Sequence, residues 1–122
     1  MHEFSICQAL LKQVNHVATD AGCEHVEKIT IAIGLLAGVE PGLIASAFAV
    51  MKSGGCAAQA TLIIESVAVR VECAVCGAHS SVTANRLICS ACGGYHTRVI
   101  AGQELCLLRV ELRAPVHAHS LN

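Results

Sequence analysis

Aromatic side chains are almost missing from this sequence, which has two Phe, one Tyr and no Trp in 122 residues. So few rings give no stacking platform for unpaired bases. An excess of positive charge is missing too: eight Lys and Arg stand against nine Asp and Glu, which leaves no electrostatic footprint for a polyphosphate. Nucleic acid is therefore not an expected partner. Long apolar runs are absent as well. The longest uncharged apolar stretches, near residues 31–39 and 43–51, fall far short of the ~20 residues that span a bilayer. Glu3 also stands where a secretory signal would be basic. A cytoplasmic protein with no membrane partner is expected. What the chain does have is 54% hydrophobic residues and only 14% charged ones, enough aliphatic surface to offset the entropy of ordering it. The length fits one domain or two small lobes with a core of Leu, Ile, Val and Ala.

Local patterns give the order of elements. Between residues 4 and 21, Ile6, Leu10, Leu11, Val14, Val17, Ala18 and Ala21 recur at three- and four-residue intervals, which predicts an amphipathic helix closed at Gly22. Over residues 26–35, Ile29, Ile31 and Ile33 alternate with Lys28, Thr30 and Ala32, the period of a strand with one buried face. Pro41 suits the first turn of a second helix, with Ile44, Ala47, Phe48 and Met51 facing inward. Residues 60–71 read as a second strand and residues 104–113 as a third. In the third, Cys106, Leu108, Val110 and Leu112 share one face, and Leu105 and Leu107 lie on the other. The fold class is α+β, with two helices packed on a small three-stranded sheet. A cysteine-bearing lobe is inserted between strands two and three. The expected divisions are 1–70 plus 101–113, then 71–100, and a tail over 114–122.

Eight cysteines need a reason in a reducing compartment, where disulfide frameworks are rare. Four of them form two copies of one turn, Cys73-Ala74-Val75-Cys76-Gly77 and Cys89-Ser90-Ala91-Cys92-Gly93, with twelve residues between Cys76 and Cys89. Each turn sets two thiolates on one side of a tight loop, and two facing turns give the four soft tetrahedral ligands of a closed structural Zn²⁺ site. Two disulfides and a redox Cys-x-x-Cys pair are the rival readings. The redox reading is the weaker, because that chemistry uses one motif at a helix N-terminus. Iron also fits such a cage chemically. His79 and His96, just beyond the turns, are exposed loop residues or substitute ligands. Cys7, Cys23, Cys56 and Cys106 read as small apolar residues in or near the core.

His2 is the second unusual feature. Histidine is too large for removal of the preceding methionine, so the chain is expected to keep a free amine at Met1. That amine, the His2 backbone nitrogen and the His2 Nδ1 close a five- and a six-membered chelate ring around one metal, a nitrogen set suited to Ni(II) or Cu(II). Glu3 adds a backbone nitrogen or a carboxylate. The bland reading is that His2 is simply the second residue of a frayed terminus. His117 and His119 would add weak affinity or belong to a polar tail.

Met1-His2-Glu3, Ile33-Gly34 leading to Gly38-Val39-Glu40-Pro41, Ala47-Phe48, the paired cysteine turns and Gly102-Gln103-Glu104-Leu105 together resemble the HypA/HybF family of hydrogenase nickel-insertion accessory proteins. The likeness covers nearly the whole chain in the same order. It implies a nickel-binding α/β domain built around the amino terminus and a zinc-ribbon-like domain. It also implies that His2 is the essential nickel ligand, assisted by the Met1 amine and the Glu3 backbone, and that Cys73, Cys76, Cys89 and Cys92 hold zinc. The implied partners are a nickel-delivery GTPase, the precursor of the [NiFe]-hydrogenase large subunit and, in some organisms, urease maturation proteins. Either a monomer or a homodimer is compatible with the sequence. Three departures stand out: Ser90 where proline is common, Leu35 after Ile33-Gly34, and the segment 58–61 without acidic or glycine residues.

The expected activity is binding and handover of Ni(II), without bond-making chemistry. No Ser/His/Asp or Cys/His constellation lies on neighbouring elements, and four cysteines leave zinc no open position for water, so no enzyme is expected. The reading from another class is a zinc-ribbon interaction or regulatory module without nickel transfer, which would call for a basic face.

Overall fold

The structure, a computed structural model, describes residues 2–113. Its elements are α1 (His2–Asp20), β1 (Val26–Gly34), α2 (Pro41–Met51), β2 (Thr61–Val67), β3 (Val69–Cys73), β4 (His79–Val82), β5 (Thr97–Ala101) and β6 (Leu105–Leu112). They form two three-stranded sheets, ordered β2-β1-β6 and β4-β3-β5. The chain divides into two compact units, one of residues 2–31, Val39–Ile64 and 106–113, the other of Ala32–Gly38 and Glu65–Leu105. The lobe expected over 71–100 falls inside the second.

In the first unit, Cys7, Leu10, Leu11 and Val14 of α1, Ile44 and Phe48 of α2, Ile29 and Ile31 of β1 and Leu62 of β2 line one small apolar cavity. Ile29, Ile31, Ile44 and Val14 are fully buried there. The buried stripe of α1 is Cys7, Val14 and Ala18, whereas Val17 is 40% exposed and outside it. The helix closes where the Gly22 N–H donates to Thr19 and the Cys23 N–H to Ala18. Pro41 begins α2 and Glu40 caps it through its carbonyl, which accepts from Ile44; the missing proline N–H is no loss at that position. Of the four residues of α2 expected to face inward, Ile44, Ala47 and Phe48 are buried and Met51, in its last turn, is half-buried.

Three expectations about strands change. β1 is buried on both faces from Ile29 onward: Ile29 and Ile31 line the cavity under α1 and α2, and Thr30 and Ala32 on the opposite face are covered as well. The single second strand is two strands, and the change of sheet occurs at Ala68, where neither Gly nor Pro marks it. The third strand, seen as β6, carries Cys106 exposed and Leu108 47% exposed, with Leu105 and Leu107 half-buried. Cys106 therefore lies outside the core, and Cys7 is the fully buried member of its group.

The second unit is organised on β3. Val69–Cys73 pairs antiparallel with β4, Val71 opposite Ser80, and with β5, Val71 opposite Val99 and Cys73 opposite Thr97. Val69, Val71, Cys73 and Cys89 are buried. Within this unit the backbone of Gly34 lies against that of Gly102: the Leu36 N–H donates to the Gly102 carbonyl at 2.7 Å and the Gly34 N–H to the Glu104 carbonyl at 2.7 Å. A Cβ on Gly34 would fall 2.0 Å from the Gly102 oxygen, and Gly102 has φ +110°, so glycine is required at both.

Candidate metal centre

The two cysteine turns have the same local construction. In each, the N–H of the glycine after the second cysteine donates to the carbonyl of the first, Gly77 to Cys73 at 3.0 Å and Gly93 to Cys89 at 2.9 Å. Both glycines have positive φ, 76° and 74°, which reverses the chain after the second sulfur. The first cysteine's own N–H closes the loop, Cys73 onto Ala78 and Cys89 onto Gly94, each at 2.9 Å. The doubled pattern read in the sequence is thus a doubled structure. β3 delivers Cys73 at its end, and the Ala74 N–H, bonded to the His96 carbonyl at 2.8 Å, ties the first turn to the segment after the second.

The four sulfurs of Cys73, Cys76, Cys89 and Cys92 all lie within 4.8 Å of one another. Cys73 and Cys92 are 3.6 Å apart, as are Cys76 and Cys89. A tetrahedron of sulfurs ~2.3 Å from a central ion has edges of about 3.8 Å. The close pairs match that spacing and are far from the ~2.05 Å of a disulfide. Among the described residues no histidine or carboxylate joins a group of this kind. His79 Nε2 lies 3.4 Å from Glu72 Oε2, and the His96 ring lies tilted against Tyr95, centroids 4.6 Å apart. Room at the sulfurs is tight: a Cβ on Gly94 would sit 3.2 Å from the Cys92 Sγ.

Electrostatics divide the set. The Cys73 thiol is held below its ordinary range by the N–H groups of Cys76 and Val75, which reach its sulfur at 3.4 and 3.3 Å. Cys89 is pulled down to about 6 by the N–H groups of Cys92 and Ala91. At Cys92 the Gly94 N–H acts downward, but hydrogen bonding with Cys73 and Cys89 together with desolvation outweighs it and pushes the thiol up to about 11. Cys76 is raised in the same way, the Ala78 N–H being outweighed by Cys89, desolvation and Cys73. Each 3.6 Å pair therefore holds one sulfur biased to thiolate and one biased to thiol. A thiophilic cation suits such a set, and binding it would release the remaining protons. The first cysteine of each turn is buried and the second exposed.

The amino-terminal candidates lie in the first unit. His2 is exposed and is the first residue of α1. A residue at that position has a backbone N–H without an intrahelical acceptor, so the nitrogen is available. His2 Nε2 lies 3.8 Å from Glu3 Oε2. The Glu3 carboxyl is held below its usual range, first by its own backbone N–H, with His2 adding to the effect. Met1, His117 and His119 lie outside the described residues.

Sequence reasoning missed Ser80, a buried hydroxyl of β4 that reaches the Cys89 sulfur. Its only trace in the sequence is a polar pair, Ser80-Ser81, in a segment without apolar period.

Residues 1–112 match the protein family described as "Hydrogenase/urease nickel incorporation, metallochaperone, hypA". The chain belongs to the HypA family. Its members are nickel metallochaperones of hydrogenase maturation, and the chain is a maturation factor of this kind, not an enzyme. It is 44% identical over 112 residues to the hydrogenase maturation factor HypA of Nitrosospira multiformis, covering 92% of this chain and 97% of that one. It is 38% identical, with the same coverage, to HypA of Aquifex aeolicus. Among solved structures, a solution structure of a HypA protein matches with TM-score 0.74 and 25% identity, over 94% of this chain and 98% of that one. The fold also matches the solution structure of the nickel metallochaperone HypA from Helicobacter pylori, TM-score 0.66 at 23% identity, over 93% of this chain and 98% of that one. Among the described residues, no helix is long and apolar enough to cross a membrane.

Proposed function

We propose that the protein binds Ni(II) at its amino terminus and delivers it to the large-subunit precursor of [NiFe]-hydrogenase. His2 is the essential ligand through its backbone nitrogen and Nδ1, with the Met1 amine and the Glu3 backbone assisting. The observation that carries this reading is an exposed imidazole on the first residue of α1, in a chain that matches a nickel-incorporation family from its first residue. Few ligands and an exposed position leave coordination positions open, so the thiolates of a recipient can enter before the nitrogens leave. Transfer is then ligand exchange, without a bond-making step in the chaperone.

Cys73, Cys76, Cys89 and Cys92 hold zinc in this reading, and the support is their spacing and donor set. Zinc supplies a closed thiolate centre that joins the two turns. We assign nickel binding to residues 1–70 with 101–113 and zinc binding to 71–100. The partners are a nickel-delivery GTPase and the hydrogenase precursor, with urease maturation proteins a further recipient system, and the site of action is the cytoplasm. The test is transfer of Ni(II) from the loaded protein to purified large-subunit precursor. Wild type should load the precursor and His2→Ala should not. Equal loading by both would refute the assignment.

A further inference from the structure

Ser80 is 4% exposed, and a buried hydroxyl needs partners. Its oxygen accepts two hydrogen bonds, from the Ser90 backbone N–H at 3.2 Å and from the Ser90 hydroxyl at 3.0 Å. That leaves its own proton to donate, and the Cys89 Sγ lies 4.0 Å away. The contact is long for a free thiol and would tighten onto a thiolate, which is a stronger acceptor. The direction of the chain is therefore fixed as Ser90 to Ser80 to Cys89. Donors arranged head to tail polarise one another. Backbone N–H groups act on the first sulfur of both turns, those of Val75 and Cys76 on Cys73 and those of Ala91 and Cys92 on Cys89, but among the described residues no side-chain hydroxyl is found at the Cys73 sulfur.

We propose that Ser80, backed by Ser90, is a positioning residue for the zinc ligand Cys89, making it the anchored sulfur of the four while the exposed Cys76 and Cys92 are the ones that open first. The inference rests on the zinc reading above. Two features of the fold support it. Ser80 lies on β4 opposite Val71, the fully buried centre of β3, so the hydroxyl is fixed by the sheet and not by a loop. Ser90 follows Cys89 directly in the chain, so its two bonds to Ser80 hold the start of the second turn against β4. A hydroxyl donor also draws charge from the thiolate, which makes it a poorer nucleophile, while the slower release comes from the bond holding the sulfur in its ligating position.

The experiment uses the full chain loaded with Zn²⁺, and separately with Co²⁺ as a spectroscopic substitute. Zinc release to a colorimetric chelator is timed and the thiolate-to-cobalt charge-transfer band recorded for wild type, Ser80→Ala, Ser80→Thr and Ser90→Ala. Outer-shell partners of metal ligands are worth ~10- to 100-fold in affinity. Ser80→Ala should release zinc about tenfold faster or more and shift the band. Ser80→Thr, which keeps the hydroxyl, should restore both, and Ser90→Ala, an exposed change that leaves its N–H in place, should fall between. If Ser80→Ala does not fold, Ser90→Ala still decides, since its shifted band and faster release support the relay. Wild-type rates and spectra in Ser90→Ala and in any folded Ser80→Ala would overturn the relay while zinc binding stands. A wild type that binds neither metal would refute the zinc reading itself.

Discussion

Thr30 sits in the middle of β1, 1% exposed, and its hydroxyl has no hydrogen-bond partner among the described residues. Burying an unpaired hydroxyl costs about 1–3 kcal/mol, and Val has the same shape without the polar atom. Thr30→Val is therefore expected to raise the thermal midpoint by a few degrees; an unchanged or lower midpoint by calorimetry would contradict that. Glu72 is the opposite case, an exposed carboxylate with partners. Its pKa is lowered, first by hydrogen bonding to the Arg98 guanidinium and then by His79. Because the folded value lies below the unfolded one, its contribution to stability is present above the unfolded pKa and is lost as pH falls through the folded pKa. Arg98→Ala should move the Glu72 carboxyl, followed by NMR titration, back up toward the ordinary glutamate range. It should also narrow the stability difference from wild type below that pH. A Glu72 titration unaffected by the substitution would remove the ion pair from the explanation.

At the level of helices and strands, α2 separates a buried face from an exposed one without a single charge to mark it. Ile44 is fully buried and Val50 is 68% exposed. Ile44→Ala should cost about 2–5 kcal/mol by leaving a cavity beside α1 and β1, and Val50→Ala should stay within about 0.5 kcal/mol. Chemical denaturation of the two variants checks both, and equal losses would mean that the helix is packed on the other face. Ile44, Ala47 and Phe48 were readable from their spacing because period and burial agree there. Val17 was not, since in α1 Cys7 takes a place in the buried stripe and turns it away from Val17. The division of residues 60–73 between two sheets was illegible because Ala68 carries no turn signal and both strands are rich in β-branched residues. β4 was hidden for a different reason: His79-Ser80-Ser81-Val82 has no apolar alternation, and the strand is held by pairing with β3 and by the sulfur cluster. The four turn cysteines were legible, because their spacing alone fixes the turns, whereas the hydroxyl behind Cys89 depends on a sheet register that no local pattern encodes.

For the molecule as a whole, the proposed function sets two kinds of metal chemistry on two small units, zinc on a set of four sulfurs and nickel on an exposed imidazole at the start of α1. The first is tied to folding. The second unit has few large buried apolar side chains, chiefly Ile33, Val69 and Val71, and structural zinc sites supply ~10–16 kcal/mol to small lobes of this kind. Removing zinc with a chelator, or Cys73→Ala, should collapse the amide dispersion of β3, β4 and β5 while α1 and α2 stay folded; native spectra and unchanged zinc content in Cys73→Ala would contradict a structural role. In the proposed function the imidazole handles nickel, and as an exposed residue of the first turn of α1 it is not part of the core. Nickel titration by calorimetry of the zinc-loaded protein with its Met1 amine free, beside His2→Ala and beside a version with one residue added before Met1, therefore bears directly on how the protein works. One Ni(II) should bind tightly to the first and at least tenfold more weakly to the other two, with zinc content equal in all three. Equal nickel affinity across the three would show that the amino terminus is not the nickel site.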